Sequence, residues 1–136
     1  MEISGDGNTH HKLTINYSNP LKYGAWLNAI NRDYVRVYVP QGSKLTSNKG
    51  SEDKVNTFDE LGKTVFEGFM TVKPEGVTEV KVRYRLPFKA DKSTLLKLTL
   101  QKQPGTDEPQ YRISVNGKNI FDKLELREDS DLTLTW

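Results

Sequence analysis

The feature that most constrains this chain is a period of two. From Lys12 onward, short runs alternate apolar and polar side chains, and each run is closed by proline, glycine or a cluster of small polar residues. Side chains two apart share one face of an extended strand, whereas a helix needs apolar groups three and four apart. In 12–18, Leu13, Ile15 and Tyr17 fall on one face and Lys12, Thr14 and Asn16 on the other. In 34–39, Val35, Val37 and Val39 oppose Tyr34, Arg36 and Tyr38. Pro40 ends that run because it cannot donate to a ladder. The run 64–72 is apolar on both faces, with Phe66, Met70 and Val72 against Val65 and Phe69, and reads as a central strand. In 77–86, Val80, Val82, Tyr84 and Leu86 point inward. Strands are also expected at 44–46, 93–103, 111–115, 119–121, 124–126 and 132–136, while 55–61 is ambiguous.

The punctuation agrees. Asn116-Gly117 is the strongest short hairpin signal in the chain. In Lys73-Pro74-Glu75-Gly76, proline presets φ and glycine suits a positive φ. Residues 47–54 are a polar loop, and 19–33 form a loop broken by Pro20 and Gly24 with one helical turn near 25–30. Residues 1–11 are polar and Gly-rich, as a flexible lead-in would be. Twelve Thr and ten Val against three Ala favour pleated surfaces over helices. The expectation is all-β: one two-sheet immunoglobulin-like β-sandwich of about eight short strands over 12–136. With no cysteine, the disulfide pin of antibody domains is missing, and thiol catalysis and Cys-ligated metals are excluded. No apolar run is long enough to span a membrane as a helix. The start, MEISGDGNTHH, lacks the apolar core of a signal peptide.

Reactive constellations are sparse. His10 and His11 are the only histidines, and adjacent strand residues point to opposite faces, so they cannot share one metal ion. There is no nucleophile-elbow motif and no phosphate-binding glycine loop. The acid pairs Glu52/Asp53, Asp59/Glu60 and Asp107/Glu108 lie in or beside polar loops, where solvated charge is the ordinary reading. Glu128, Asp129 and Asp131 lack the spacing and glycine of a calcium loop. No cofactor is expected.

Two surface features point to binding. Tyr23, Trp26, Tyr34 and Tyr38 are close in sequence, with Tyr34 and Tyr38 on one strand face, a candidate platform for sugar rings. Lys81, Arg83 and Arg85 alternate in VTEVKVRYRLP, which sets all three on one side of a strand. That stripe is either a solvated sheet face or a patch for an anionic surface such as a wall polymer. A formal charge of only +2 and the lack of any nucleic-acid-binding signature disfavour DNA and RNA. A lysine–asparagine cross-link is a third possibility, Lys12 with Asn116 or Asn119 being the natural pair.

Four phrases, 34–45 (YVRVYVPQGSKL), 62–72 (GKTVFEGFMTV), 80–88 (VKVRYRLPF) and 98–107 (LTLQKQPGTD), resemble the C-terminal portion of bacterial envelope proteins of domain-of-unknown-function family 4012. The resemblance implies a module outside the membrane, distal to an N-terminal membrane helix and a larger domain of the parent. It implies no catalytic residue. The expected function is a non-catalytic extracytoplasmic accessory or interaction module, its partner a protein or a cell-wall glycan. The alternative within the binding class is a carbohydrate or wall-polymer module using Tyr23, Trp26, Tyr34, Tyr38, Arg83 and Arg85.

Overall fold

The computed structural model describes residues 1–24, 28–91, 93, 95–102, 104 and 109–135. Eleven strands and no helix occur among them: β1 (Glu2–Ile3), β2 (Asn8–Asn19), β3 (Asn31–Pro40), β4 (Lys44–Lys49), β5 (Asn56–Glu60), β6 (Lys63–Val72), β7 (Gly76–Lys89), β8 (Leu96–Leu100), β9 (Gln110–Val115), β10 (Lys118–Glu125) and β11 (Ser130–Leu134). The fold class is therefore all-β, and β9–β10, β8–β11, β3–β6, β4–β7 and β5–β6 pair antiparallel. Where one domain over 12–136 was expected, the chain divides into two compact units. One is His10–Pro87; the other joins Met1–Thr9 to Phe88–Trp136.

The His10–Pro87 unit is two sheets, β2-β7-β4 and β3-β6-β5. Their inner faces share one core: Val39, Phe66, Met70 and Val72 from the second sheet, Val80 and Val82 from the first. Ile15, Tyr17, Leu45 and Tyr84 pack against it. The period-two residues read as inward are these ones, so burial of one face per strand is the force that orients every strand here. Strand β6 is central and apolar on both sides, as read; Val65 on its outer side is fully buried. Before the start of β5, the free edge of β6 is covered by the preceding loop, whose Glu52 N–H donates to the Phe69 carbonyl at 2.9 Å. The polar stretch 47–54 is not all loop, because β4 continues to Lys49 after a register shift between Leu45 and Ser47.

In the other unit, β9 pairs β10 and β8 pairs β11. Asn116 and Gly117 take φ of 48° and 78° between Val115 and Lys118, the mirror-image turn that this dipeptide favours. Residues 119–126, read as two short strands, form one irregular strand to Glu125. The expected flexible lead-in is instead folded in. The Met1 ammonium donates to the Ser114 carbonyl at 2.8 Å and Ile3 N–H to Asn116 Oδ1 at 2.8 Å. Asp6 holds the Ser4–Asn8 turn, accepting from Ser4 Oγ and the Asn8 N–H. A polar, glycine-rich tail and a polar, glycine-rich turn look alike locally, and only pairing across more than a hundred residues separates them.

Two turns carry backbone strain. At the 73–76 turn, the positive φ of 54° falls on Glu75, not on Gly76, which was expected to need it. At the β5–β6 hairpin, Leu61 adopts φ 51° ahead of Gly62 at φ 68° and is 86% exposed. Left-handed backbone costs a leucine about 1–2 kcal/mol, and asparagine tolerates it better. Leu61→Asn creates an Asn-Gly turn and is expected to stabilise by about 0.5–1 kcal/mol in urea unfolding; an unchanged midpoint would show that this turn is unstrained.

Candidate functional site

The two outer faces of the His10–Pro87 unit have opposite electrostatic character. On the β3-β6-β5 face the charges are paired. Register sets Arg36 opposite Glu67 and Glu60 opposite Lys63. Arg36 Nε donates to Glu67 at 3.1 Å and its Nη1 to Glu60 at 3.3 Å, while Tyr38 Oη donates to Glu60 at 2.7 Å. The Arg36 guanidinium also lies 5.3 Å from the Tyr34 ring centroid and 5.7 Å from that of Phe58. Arg32 sits over the Phe69 ring at 4.1 Å and pairs with Glu52 at 2.8 Å. This face is an internally satisfied lattice of cations, acids and rings.

The β2-β7-β4 face is the reverse. Lys81, Arg83 and Arg85 project outward from β7, as alternation required. Register sets Lys44 directly opposite Arg85 and Lys49 directly opposite Lys81. Lys12 is exposed on the outward side of β2. The acid among them is Glu79, bonded to Lys81. Its carboxyl is held below the ordinary range first by that hydrogen bond, then by the charges of Lys81, Lys49 and Lys12. That dependence shows that cations of three strands act at one place. Arg83 and Arg85 form no ion pair among the described residues. Like charges directly opposite across strands destabilise a sheet, and this face has two such pairs where the other has two of opposite sign.

The predicted ligand-binding residues therefore do not form one set. Tyr34 and Tyr38 are 47% and 45% exposed on the outer face of β3-β6-β5. Arg83 and Arg85 stand on the outer face of β2-β7-β4. Each sheet turns its apolar side to the shared core, so the two polar sides look in opposite directions and no small ligand touches both. Tyr23 is 69% exposed in the segment between β2 and β3, with no ring contact to Tyr34 or Tyr38 among the described residues. Trp26 lies outside the described residues, as do 25 and 27 of the helical turn expected near 25–30 and most of the 103–109 loop; residues 28–30 are not helical, and Asn28 instead forms an antiparallel bridge with Gly24.

The other candidates are occupied structurally. His11 is stacked on Tyr84 with centroids 5.0 Å apart, its Nδ1 3.3 Å from the phenol oxygen. Asp59 accepts from Thr64 Oγ1 at 2.7 Å, and Glu60 belongs to the Arg36 lattice, so this acid pair does not converge. Asp129 accepts from the Lys102 N–H at 2.7 Å and Asp131 from Thr99 Oγ1 at 2.6 Å, tying strand ends together. Asp107 and Glu108 lie outside the described residues. Lys12 is exposed, not desolvated as a cross-linking lysine needs to be. Between the sheets lies a gap of about 20 Å³ beneath Ser51 and Val55, room for about one water. A shallow cleft of about 590 Å³ opens at the end of the unit between Tyr17, Leu21, Ile30 and Val72.

Sequence reasoning missed the two lysines of β4. Lys49 lies in a stretch whose composition says loop, and only pairing with β7 extends the strand far enough to set it against Lys81. Among the described residues no helix is long and apolar enough to cross a membrane. No known protein family, curated protein or solved structure matches the chain.

Proposed function

We propose that this chain is a non-catalytic interaction module, an immunoglobulin-like sandwich of a bacterial cell-envelope protein working outside the membrane, and that the β2-β7-β4 face binds an anionic wall polymer. The observation that carries the binding reading is the pair of like-charge contacts, Lys44 opposite Arg85 and Lys49 opposite Lys81, on a face with six cations and one acid. Unit charges about 7 Å apart in water repel by about 0.6 kcal/mol before salt screening. A sheet serving only as scaffold gains by alternating signs, as the opposite face does. A polyanion removes the repulsion and gains Coulomb energy from the same six groups. The resemblance of four phrases to an envelope family supports the extracytoplasmic place, and an extended face of six cations against the single acid Glu79, which is bonded to Lys81, suits a polymer better than a small solute.

The test is a titration of wall polymer fragments, neutral and anionic, into the whole chain. Binding of the anionic fragments that weakens steeply with salt supports the reading; equal binding of neutral fragments moves the site to the Tyr34–Tyr38 face. A trade-off provides a second check. Lys44→Glu puts an acid opposite Arg85 and is expected to stabilise the fold by about 0.5 kcal/mol while weakening anionic polymer at least fivefold. A variant that gains stability and keeps its affinity removes β4 from the site.

A further inference from the structure

The spacing of the cations selects among anionic polymers. Resting on the reading above, we infer that the β2-β7-β4 face is matched to a base-free linear polyphosphodiester of the poly(glycerol phosphate) kind, lying along β7 with one phosphate at each outward cation. Lys81, Arg83 and Arg85 occupy alternate positions of one strand. Two extended residues advance about 7 Å, through six backbone bonds. A glycerol phosphate repeat, P–O–C–C–C–O, also has six backbone single bonds between charges. An extended polymer of that kind keeps step with three successive cations, whereas a charge on every ring of a uronate polymer follows a different interval and falls out of step.

The flanking rows fit the same guest. Lys44 beside Arg85 and Lys49 beside Lys81 place a pair of cations at each end of the β7 stripe. Guanidinium groups of Arg83 and Arg85 suit phosphate, whose oxygens accept two parallel N–H bonds. Single-stranded nucleic acid shares the six-bond step, but it gains much of its affinity by stacking bases on rings. Tyr17 and Tyr84 of these strands pack on the core, and His11 stacks on Tyr84. Among the described residues of the outer face in this unit, no Phe, Tyr or Trp stands beside the cations.

The experiment measures binding of the full 136-residue chain to three polymers matched in charge and length: poly(glycerol phosphate), polygalacturonate and oligo(dT). The expected order places poly(glycerol phosphate) at least tenfold tighter than either of the others. Arg83→Gln with Arg85→Gln, both exposed and remote from the core, is expected to lose at least tenfold and to reduce the log–log salt slope by about 1.5–2. Lys22→Gln, away from the face, serves as the control and keeps full affinity. Equal affinity for polygalacturonate overturns the spacing inference and leaves the anionic-polymer reading standing. Tighter binding of oligo(dT) overturns it in favour of nucleic acid. Binding of none of the three overturns both readings.

Discussion

Gly50→Ala is expected to destabilise the protein by about 3 kcal/mol or more, the largest effect of any single methyl group in the His10–Pro87 unit. Gly50 follows β4 with φ 90°, and a Cβ built there meets the backbone carbonyl oxygen of Glu79 at 2.1 Å. Positive φ alone costs an L-residue about 1–2 kcal/mol. The clash is with backbone of a central strand, so relief requires β4 to move off β7, an overpacking cost of about 1–3 kcal/mol more. Gly62→Ala is the control. It shares a positive φ of 68°, but its added methyl meets nothing within 4 Å. Only the conformational cost applies there, about 1 kcal/mol. Urea unfolding of both variants separates the terms, and equal losses would show that no close approach exists at Gly50. The displacement also carries Lys49 away from Lys81, so anionic polymer binding is expected to fall with stability in Gly50→Ala and to persist in Gly62→Ala.

The second large effect is acid sensitivity through His11. Burial pushes this imidazole down from 6.5 to about 4, with the neighbouring charge of His10 adding to the depression. Its Nε2 is buried with no partner among the described residues, and Nδ1 meets only the Tyr84 hydroxyl. That phenol is itself pushed up to about 12 by burial, so it stays neutral. Among the described residues no acid pairs with the ring to compensate a proton placed on it. The unfolded chain takes up that proton near pH 6.5, the folded chain only near pH 4. The histidine's contribution is therefore complete above about pH 6.5 and is lost progressively as the pH falls towards 4. The difference corresponds to about 3 kcal/mol by linkage. His11→Phe keeps a ring against Tyr84, cannot take a proton, and is expected to remove this part of the pH dependence while changing stability little at pH 7.5. Unfolding free energies of both proteins at pH 7.5, 5.5 and 4 give the comparison. Parallel curves would mean that His11 is solvated in the folded state.

The strands were legible because alternation is a local pattern with a physical cause: Val35, Val37 and Val39, or Val80, Val82 and Tyr84, recur at the one interval that puts them on a single pleated face. The Asn116-Gly117 hairpin was legible for the same reason, since its φ requirement is met by the residues of the turn themselves. Glu75 and Leu61 were not, because their left-handed backbone is imposed from outside the turn, on Leu61 by the pairing of β5 with β6 and on Glu75 by the crossing from β6 in one sheet to β7 in the other. Neither was the role of residues 1–9, whose bonds reach Ser114 and Asn116 at the far end of the chain.

The binding candidates divide along the same line. That Lys81, Arg83 and Arg85 share a side of one strand, and Tyr34, Arg36 and Tyr38 a side of another, follows from residue order alone. Which neighbours those sides acquire depends on register. It gave Arg36 acids from β5 and β6, and it gave Arg85 and Lys81 further lysines from β4. Order along the chain determined the alternation and hence which groups turn to water. Only the tertiary arrangement decided that one wet face neutralises itself and the other repels itself, because charges separated by many residues interact at distances that strand pairing alone sets.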